Sequence, residues 1–318
     1  MSKILITGGC GYVGSVLVPR LLKLNYKVVV VDTQWFGINL KKHKNLKIIK
    51  KDIRNISSKD LLGVKIVYHL ASIANDPMGA LDPELTWEIS CLGTMKLLEA
   101  SLKNKVKKIV YASSSSVYGI KKEKKVVENL SLEPISIYNK AKMVAERILL
   151  SYYNKINISI IRPATVCGIS PRTRLDVSVN MLTYQAFKNK KITVFGGDQV
   201  RPNIHIEDLV DLYIFFLNDK KKLNGIFNAG FENLSIRQIA KNISKEIESK
   251  IIYIKNTNDK RSYRVDSSKL KKVGFKPKKN VMIAIRELKH YFQKQNIKKI
   301  NKNSFSINWL KKKKIFKK

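Results

Sequence analysis

The sequence predicts an α/β fold in which a doubly wound parallel sheet is joined to a smaller, interleaved C-terminal lobe. In the first half, short apolar runs alternate with segments of helical periodicity. Near-continuous apolar strands separated by helices are typical of a parallel sheet that is covered on both faces. The second half is less regular, and no linker or internal repeat divides the chain.

The predicted elements of the first half follow from these patterns in order. Strands are predicted where the apolar runs lie, at Lys3–Thr7, Lys27–Val31, Leu46–Lys50, Lys65–Leu70, Lys107–Ala112 and Ile158–Arg162. Apolar residues at helical spacing predict helices at Tyr12–Leu24, Pro83–Lys103 and Ser136 to about Tyr153.

The second half contains fewer strands. We predict helices near Val177–Asn189, Glu207–Leu217, Ile236–Ile247 and Met282–Gln293, and strands at Ile192–Phe195 and Gly225–Asn228. These elements divide the chain into a first lobe over residues 1–168, to which segments near 204–230 return, a second lobe over 169–296 and a basic tail over 297–318.

A glycine-rich turn follows the first strand directly. Gly8, Gly11 and Gly14 are spaced Gly-x-x-Gly-x-x-Gly, with Tyr12 and Val13 between the last two. Gly8 permits a sharp exit from the strand, and Gly11 places no Cβ between the backbone and a bound phosphate. Gly14 lets the next helix pack closely, with its N-terminal amides facing the anion. The pattern predicts a Rossmann-like, dinucleotide-binding turn.

Asp32 ends the second predicted strand and selects the dinucleotide. Its carboxylate can accept hydrogen bonds from the adenosine ribose hydroxyls and would repel a 2′-phosphate. The following Thr33 and Gln34 provide no arginine to neutralise such a phosphate. The sequence therefore predicts NAD rather than NADP.

Composition narrows the class of protein. The chain has 318 residues, no apolar run of membrane-spanning length and a formal net charge of +38. Its lysines are scattered, which predicts solvated faces rather than a specific nucleic-acid partner. The cysteines Cys10, Cys91 and Cys167 lie far apart, without metal-ligand spacing or a disulfide framework. We expect a cytoplasmic protein without a bound metal.

A tyrosine and a lysine stand four residues apart on the third predicted helix. Tyr138 and Lys142 share one helix face, and Ser136 can cap the helix. The pKa of a free tyrosine is about 10. An ammonium about 4 Å away would lower that pKa by roughly three units. The hydroxyls of Ser113–Ser116, at the end of the fifth strand, would lie near this pair.

The chain resembles the extended short-chain dehydrogenases/reductases, and among them the NAD-dependent sugar-nucleotide epimerases and dehydratases of the UDP-glucose 4-epimerase type. The resemblance covers about residues 3–293. It rests on the segments Thr7–Gly14, Asp52-Ile53, His69–Ser72, Gly93-Thr94, Leu97–Ala100, Ser113–Gly119, Tyr138–Lys142, Arg162–Gly168 and Arg201–Asp208. It implies an NAD-binding first lobe, a sugar-nucleotide-binding second lobe and a homodimer formed through a helix pair that includes the Tyr138 helix.

The resemblance also implies roles for individual residues. Ser114, Tyr138 and Lys142 would be catalytic, and Lys142 would also hold the nicotinamide ribose. Arg201 would contact the substrate diphosphate, with Arg261 a second candidate for that contact. The remaining cofactor-binding positions would be Gly8, Gly11, Tyr12, Val13, Gly14, Asp32, Asp52, Ile53, Leu70, Ala71 and Ser72.

Two departures from the family's sequence pattern reduce the number of reactions that the chain could catalyse. The 4,6-dehydratases carry Asp-Glu where this chain has Ser115 and Ser116, so an acid and base for elimination are lacking. A further base for epimerisation at C3 or C5 is also lacking. The sequence thus predicts a sugar-nucleotide epimerase acting by transient oxidation at C4. A 4-dehydrogenase or 4-ketoreductase, or a non-catalytic NAD-sensing or RNA-binding protein of the same fold, remain alternatives.

The tail over residues 297–318 carries lysines among apolar residues and no acidic residue. Phe305, Ile307, Trp309, Leu310 and the pair Ile315-Phe316 could form a basic, apolar element for an acidic membrane surface. The alternative, a frayed or self-packed terminus, is the simpler expectation.

Overall fold

The computed structural model describes residues 2–218, 223–255, 262–295 and 300–316. Most of its strands lie where the apolar runs predict them. Numbered in chain order, the strands are β1 (Lys3–Thr7), β2 (Lys27–Asp32), β3 (Leu46–Lys50), β4 (Val64–His69), β5 (Lys108–Ala112), β6 (Asn157–Pro163), β7 (Thr165–Cys167), β8 (Lys191–Phe195), β9 (Val200–His205), β10 (Gly225–Ala229), β11 (Glu232–Ser235) and β12 (Lys250–Ile254).

Helices separate most of these strands. Several begin at a side chain that caps the first turn, such as Ser136 and Ser235. The helices are α1 (Gly14–Lys23), α2 (Asp76–Leu81), α3 (Pro83–Trp87), α4 (Gly93–Lys103), α5 (Ile137–Leu150), α6 (Ser178–Asn189), α7 (Ile206–Phe215), α8 (Ile236–Glu246), α9 (Ser268–Lys272), α10 (Val281–Lys294) and α11 (Ser306–Lys312).

The main sheet is parallel and has the order β10-β6-β5-β4-β1-β2-β3. From β1 the chain moves outward to β3, then crosses to β4 on the other side of β1. The strand order therefore reverses between β1 and β4. In an open α/β sheet, the carboxyl ends of the strands leave a crevice at such a reversal.

Both faces of the main sheet are covered. Ile4 and Ile6 of β1 pack in one apolar cluster with residues of α1 and α7, whereas Leu5 faces a second cluster with residues of α4 and α5. Because successive strand residues point to opposite faces, this alternation places an apolar layer on each side. The predicted doubly wound α/β fold is confirmed.

A smaller lobe has its own core. Val179 and Leu182 of α6 pack with Ile192 of β8, Ile239 of α8 and Ile285 of α10. A small sheet of order β11-β9-β7 lies in the same part of the chain, with β9 antiparallel to β11 and parallel to β7. After β9, the chain returns to the main sheet through α7 and β10.

Some elements differ from the prediction. The helix predicted at Pro83–Lys103 is divided into α3 and α4 by a π-helical segment, Glu88–Leu92. β9 was not predicted: its sequence alternates apolar and polar residues, but Pro202 stands in its middle, and a proline argues against a strand. All six residues of β9, including the polar Arg201, Asn203 and His205, are buried. The short helix α2 was not predicted either, because it contains Pro77 and Gly79.

The described part of the C-terminal tail packs against the protein. Leu310 is fully buried in the second apolar cluster of the main sheet, and Trp309 packs beside it. Phe305 makes an edge contact with Tyr184, with ring centroids 5.4 Å apart. The apolar side chains that a membrane contact would require pack, fully or in part, within the chain, which favours the self-packed terminus. Within the described ranges, no helix is long and apolar enough to cross a membrane.

A buried ion pair joins α5 to β6. Arg162 Nη2 lies 2.7 Å from Glu146 Oε2, and both side chains are almost fully buried. Arg162 Nη1 also donates to the Tyr118 hydroxyl at 2.8 Å and to the Glu128 carbonyl at 3.1 Å. Ser113 Oγ donates to the Glu146 carboxylate. The pair therefore ties α5 to two neighbouring strands.

Neutralising one partner of this pair should destabilise the fold. We expect Glu146→Gln to lower the free energy of unfolding by about 3–5 kcal/mol, because it leaves Arg162 buried without a counter-charge. Urea denaturation measures this change. Glu248→Gln, at an exposed glutamate with no ion pair among the described residues, should change stability by less than about 0.5 kcal/mol. An equally small effect of Glu146→Gln would contradict the prediction.

Candidate active site

A cavity of about 510 Å³ opens where the strand order reverses. Its walls come from the carboxyl ends of β1, β2, β4 and β5, from α5 and from residues of the smaller lobe. Most of the predicted site residues line it: Gly8, Gly11, Tyr12, Val13, Gly14, Asp32, Asp52, Ile53, Leu70, Ala71, Ser72, Ser114, Tyr138 and Arg201. The structure thus brings the predicted cofactor and catalytic groups together.

The glycine turn forms one wall by close backbone packing. Gly8 has a φ of +73°, and a Cβ on it would lie 2.8 Å from the backbone nitrogen of Ala71. A Cβ on Gly14 would lie 2.6 Å from the Cα of Gly9. The backbone amides of Tyr12 and Val13, just before α1, donate no hydrogen bond within the described part of the chain. Such a helix start is an anion-binding site.

Tyr12 links this turn to the smaller lobe. Its hydroxyl donates to the Gly168 carbonyl at 2.7 Å and accepts from Asn180 Nδ2 at 3.2 Å. Burial raises the pKa of Tyr12 well above its ordinary value, so the phenol stays protonated as a donor.

The carboxylate of Asp32 lies at the end of β2 beside the glycine turn. It accepts hydrogen bonds from the backbone amides of Cys10, at 2.9 Å, and Gln34, at 2.6 Å. Burial raises the pKa of Asp32, and these two hydrogen bonds oppose that rise. The two bonds fix the carboxylate and leave acceptor capacity for hydroxyl groups in the cavity.

Asp52 and Ile53 lie beyond Asp32 on the same wall. Asp52 accepts two side-chain hydrogen bonds from Arg54, at 2.8 and 3.0 Å, and caps the short 3₁₀ helix Ile53–Asn55. Ile53 is buried. Their position on the cavity is compatible with the predicted contact with the adenine.

The predicted catalytic residues come from two neighbouring elements. Ser114 follows β5, and its Oγ lies 2.7 Å from Ser116 Oγ. Tyr138, in the first turn of α5, also lines the cavity, and the Ser114 side chain is near enough to lower its pKa. Lys142 lies one turn further along α5, buried behind the cavity wall, where Nζ donates to the Ala112 carbonyl at 2.6 Å.

Burial dominates the electrostatics of this group. It raises the pKa of Tyr138 to about 12, against the Ser114 hydrogen bond and the positive charge of Arg174, which lower it. Burial also lowers the pKa of Lys142 to about 7, opposed by Glu146. The expected lowering of the Tyr138 pKa by Lys142 is therefore not found. Lys142 points instead to a backbone carbonyl and to the ring of Tyr111, 4.9 Å away.

Two further serines and one arginine lie around Ser114, Tyr138 and Lys142. Ser116 Oγ donates to Asn139 Oδ1 at 2.5 Å, and Ser115 Oγ lies 3.3 Å from the hydroxyl of Tyr263. Arg201, on β9, is buried on the cavity wall. Arg261 lies outside the described residues.

Two cavity residues, Arg174 and Asp176, were not singled out from the sequence. Arg174 donates to both carboxylate oxygens of Asp176, at 2.9 and 3.2 Å. They lie in the loop between β7 and α6. The charged run in this loop is the only sequence signal for them, and their positions follow from how the loop folds over the cavity.

The unusual pKa of Lys142 predicts a pH-dependent stability. Between pH 10.5 and pH 7 the unfolded chain holds a proton on Lys142 that the folded protein gives up, so its burial costs more as the pH falls. We expect Lys142→Met to raise the free energy of unfolding most near pH 7, with a gain that shrinks toward pH 10.5. Urea denaturation across this range measures it.

Lys140→Met, at an exposed lysine of the same helix, serves as the control. Its effect on stability should stay within about 0.5 kcal/mol, because its side chain is exposed. A pH-independent effect of Lys142→Met would contradict the assigned ionisation.

Comparison with known proteins supports one family. Residues 4–230 match the model of the NAD dependent epimerase/dehydratase family. The chain is 31% identical over 307 residues to a UDP-glucose 4-epimerase of Lactobacillus helveticus, an alignment that covers 87% of this chain and 92% of that protein.

Solved structures show the same relationship. The UDP-glucuronic acid 4-epimerase of Bacillus cereus, solved with UDP-glucuronic acid and NAD, superimposes with a TM-score of 0.82 at 29% identity, covering 92% of this chain and 99% of that chain. The NAD-dependent NDP-hexosamine 5,6-dehydratase TunA shares the fold, with a TM-score of 0.85 at 23% identity over 94% of this chain and all of that one. This chain belongs to the NAD-dependent epimerase/dehydratase family.

Proposed function

We propose that the protein is a sugar-nucleotide 4-epimerase that oxidises C4 of its substrate transiently and then reduces it on the opposite face. The observation that supports this most directly is that the Ser114 and Tyr138 side chains lie together on the wall of the cavity. A hydroxyl and a phenol at one point can donate to, and accept a proton from, a single substrate oxygen.

The cavity fits the family's cofactor. The unpaired amides of Tyr12 and Val13 suit a diphosphate, and the fixed carboxylate of Asp32 suits ribose hydroxyls. Bound NAD supplies a hydride acceptor that can return the same hydride. The two residues that follow Asp32, Thr33 and Gln34, carry no positive charge. Lys51, the basic residue beside Asp32 on the cavity wall, is paired with Asp60 at 2.7 Å, and both points favour NAD over NADP.

In this proposal Tyr138 takes the proton of the C4 hydroxyl, and Ser114 donates a hydrogen bond to the same oxygen. The raised pKa of Tyr138 means that its proton transfer depends on positive charge near the phenol. Arg174 lowers the Tyr138 pKa, and Lys142 lies one helical turn away. We propose that Lys142 supports the ionised phenol when the cavity is filled.

The neighbouring hydroxyls favour epimerisation over elimination of water. Ser115 and Ser116 are neutral, buried and directed to Tyr263 and Asn139. Neutral hydroxyls do not supply the acid and base that elimination needs. Cys167, a further nucleophile in this region, is buried and its pKa is raised by burial, so it is not poised as a base.

Removing the phenolic hydroxyl should abolish turnover without abolishing cofactor binding. We expect Tyr138→Phe to lower kcat at least about 100-fold, because it removes the proton acceptor, while the Kd for NAD changes little. Purified protein would be incubated with UDP-, dTDP- and GDP-sugars, and product stereochemistry and NADH absorbance followed. Tyr153→Phe, at an exposed tyrosine, is the matched control.

The same assay separates the alternatives. A C4-epimeric product without net NADH supports the proposal, whereas stoichiometric NADH with a 4-keto product indicates a 4-dehydrogenase or, in reverse, a 4-ketoreductase. Near-wild-type turnover by Tyr138→Phe would refute the role of Tyr138. Salt-sensitive RNA binding without turnover of any sugar nucleotide would favour the non-catalytic alternative.

We also propose a homodimer formed through α4 and α5. These helices pack against one another, and the side chains of Leu92 and Met95 are exposed beside them.

Met95→Glu should convert the dimer to a monomer, because it places a charge in the apolar contact. Light scattering after size exclusion measures this. Lys96→Glu, a charge change at the next residue, tests whether charge alone dissociates the dimer.

A further inference from the structure

The C-terminal segment, residues 300–316, contacts two loops whose residues line the cavity. Trp309 Nε1 donates to the carbonyl of Trp35 at 2.6 Å, and Asn303 Nδ2 donates to the carbonyl of Phe36 at 2.9 Å. Both acceptors lie in the loop that follows β2. Ser306, which begins α11, itself lines the cavity.

The same segment holds the loop between β7 and α6. The Leu175 amide donates to the Ser304 carbonyl at 2.9 Å, and Arg172 Nη2 donates to Ser306 Oγ at 2.8 Å. The guanidinium of Arg172 stacks on the ring of Phe36, 3.9 Å from its centroid. The two loops therefore meet at Arg172, and the C-terminal segment contacts both.

Arg172 is a buried cation whose hydrogen bonds are incomplete. Its side chain lines the cavity, the residue is 3% exposed, and Nη1 has no hydrogen-bond partner among the described residues. Burial, and then the like charge of Arg174, lower the pKa of Arg172 to about 9. A buried guanidinium of this kind is stabilised by an anion that accepts its free N–H groups.

The position of Arg172 distinguishes between the two diphosphates that the cavity would hold. Ser170, two residues earlier, donates from Oγ to the carbonyl of Tyr12 at 2.7 Å and accepts from the Arg172 amide at 3.2 Å. Arg172 is thereby fixed to the glycine turn, beside the unpaired amides of Tyr12 and Val13. Arg172 therefore lies on the side of the cavity formed by the glycine turn and the loop after β2, where the cofactor diphosphate is expected.

We propose that Arg172 binds the diphosphate of NAD, and that the C-terminal segment positions Arg172 for this contact through Ser306. The planar guanidinium fork matches phosphate oxygens in a way that a single ammonium cannot. The segment thus acts as a strap over the cofactor and contributes to its retention. This inference rests on the family's use of NAD and does not require the 4-epimerase reaction.

The test measures cofactor affinity directly, without turnover. Isothermal titration of cofactor-free full-length protein with NAD should show that Arg172→Ala raises Kd by about 10-fold or more. Arg172→Lys should restore only part of the loss, and Ser306→Ala should raise Kd by a smaller factor. Adenosine, which lacks the diphosphate, should bind all variants equally. Arg237→Ala, at an arginine outside the cavity, is the matched control.

Three outcomes would overturn the proposal. The first is an Arg172→Ala variant that has the urea midpoint of wild type and binds NAD within twofold of wild type. That result would show that Arg172 does not contact the diphosphate. An equal loss of adenosine affinity would indicate a general disturbance of the pocket. Weakened UDP binding to the NAD-loaded variant, with NAD affinity unchanged, would place Arg172 on the sugar nucleotide instead.

Discussion

The close approach of two backbone segments sets the geometry on which the rest of this molecule depends. Gly8, at the end of β1, lies so near Ala71, after β4, that a methyl group would not fit between them. Because β1 and β4 are the strands at which the sheet order reverses, this contact fixes the width of the crevice. This crevice is lined by the amides of the glycine turn, the carboxylate of Asp32 and the side chains of Ser114 and Tyr138.

The fold was largely predictable because its strands are buried on both faces. Apolar runs such as Val28–Val31 have no other favourable place than the interior of a covered parallel sheet. The smaller lobe was less predictable for the opposite reason. Strand β9 is wholly buried yet carries Arg201, Asn203 and His205, and the partner of His205 is the distant Glu287, which no local pattern shows.

The candidate site divides in the same way. Groups that belong to motifs, such as the glycine turn and Tyr138, could be placed from the sequence, because strand ends and helix turns fix them. Arg172 and Arg174 could not, because a loop between lobes sets their position. The spacing of Tyr138 and Lys142 correctly placed them on one helix, but burial raises the pKa of Tyr138, and Lys142 is not among the groups that shift it. The spacing of two residues in a sequence shows that they lie close together on a helix. It does not show how far the tertiary structure buries them.

The hydrogen bond from the Tyr12 phenol to Gly168 limits how the two lobes can move relative to each other. It fastens the dinucleotide turn to the start of the smaller lobe, and Asn180 of α6 secures the same junction. A rotation of the smaller lobe about this junction would therefore also displace the glycine turn, and with it the amides that would bind the coenzyme. A movement of the smaller lobe that left the glycine turn in place would therefore have to hinge beyond Asn180.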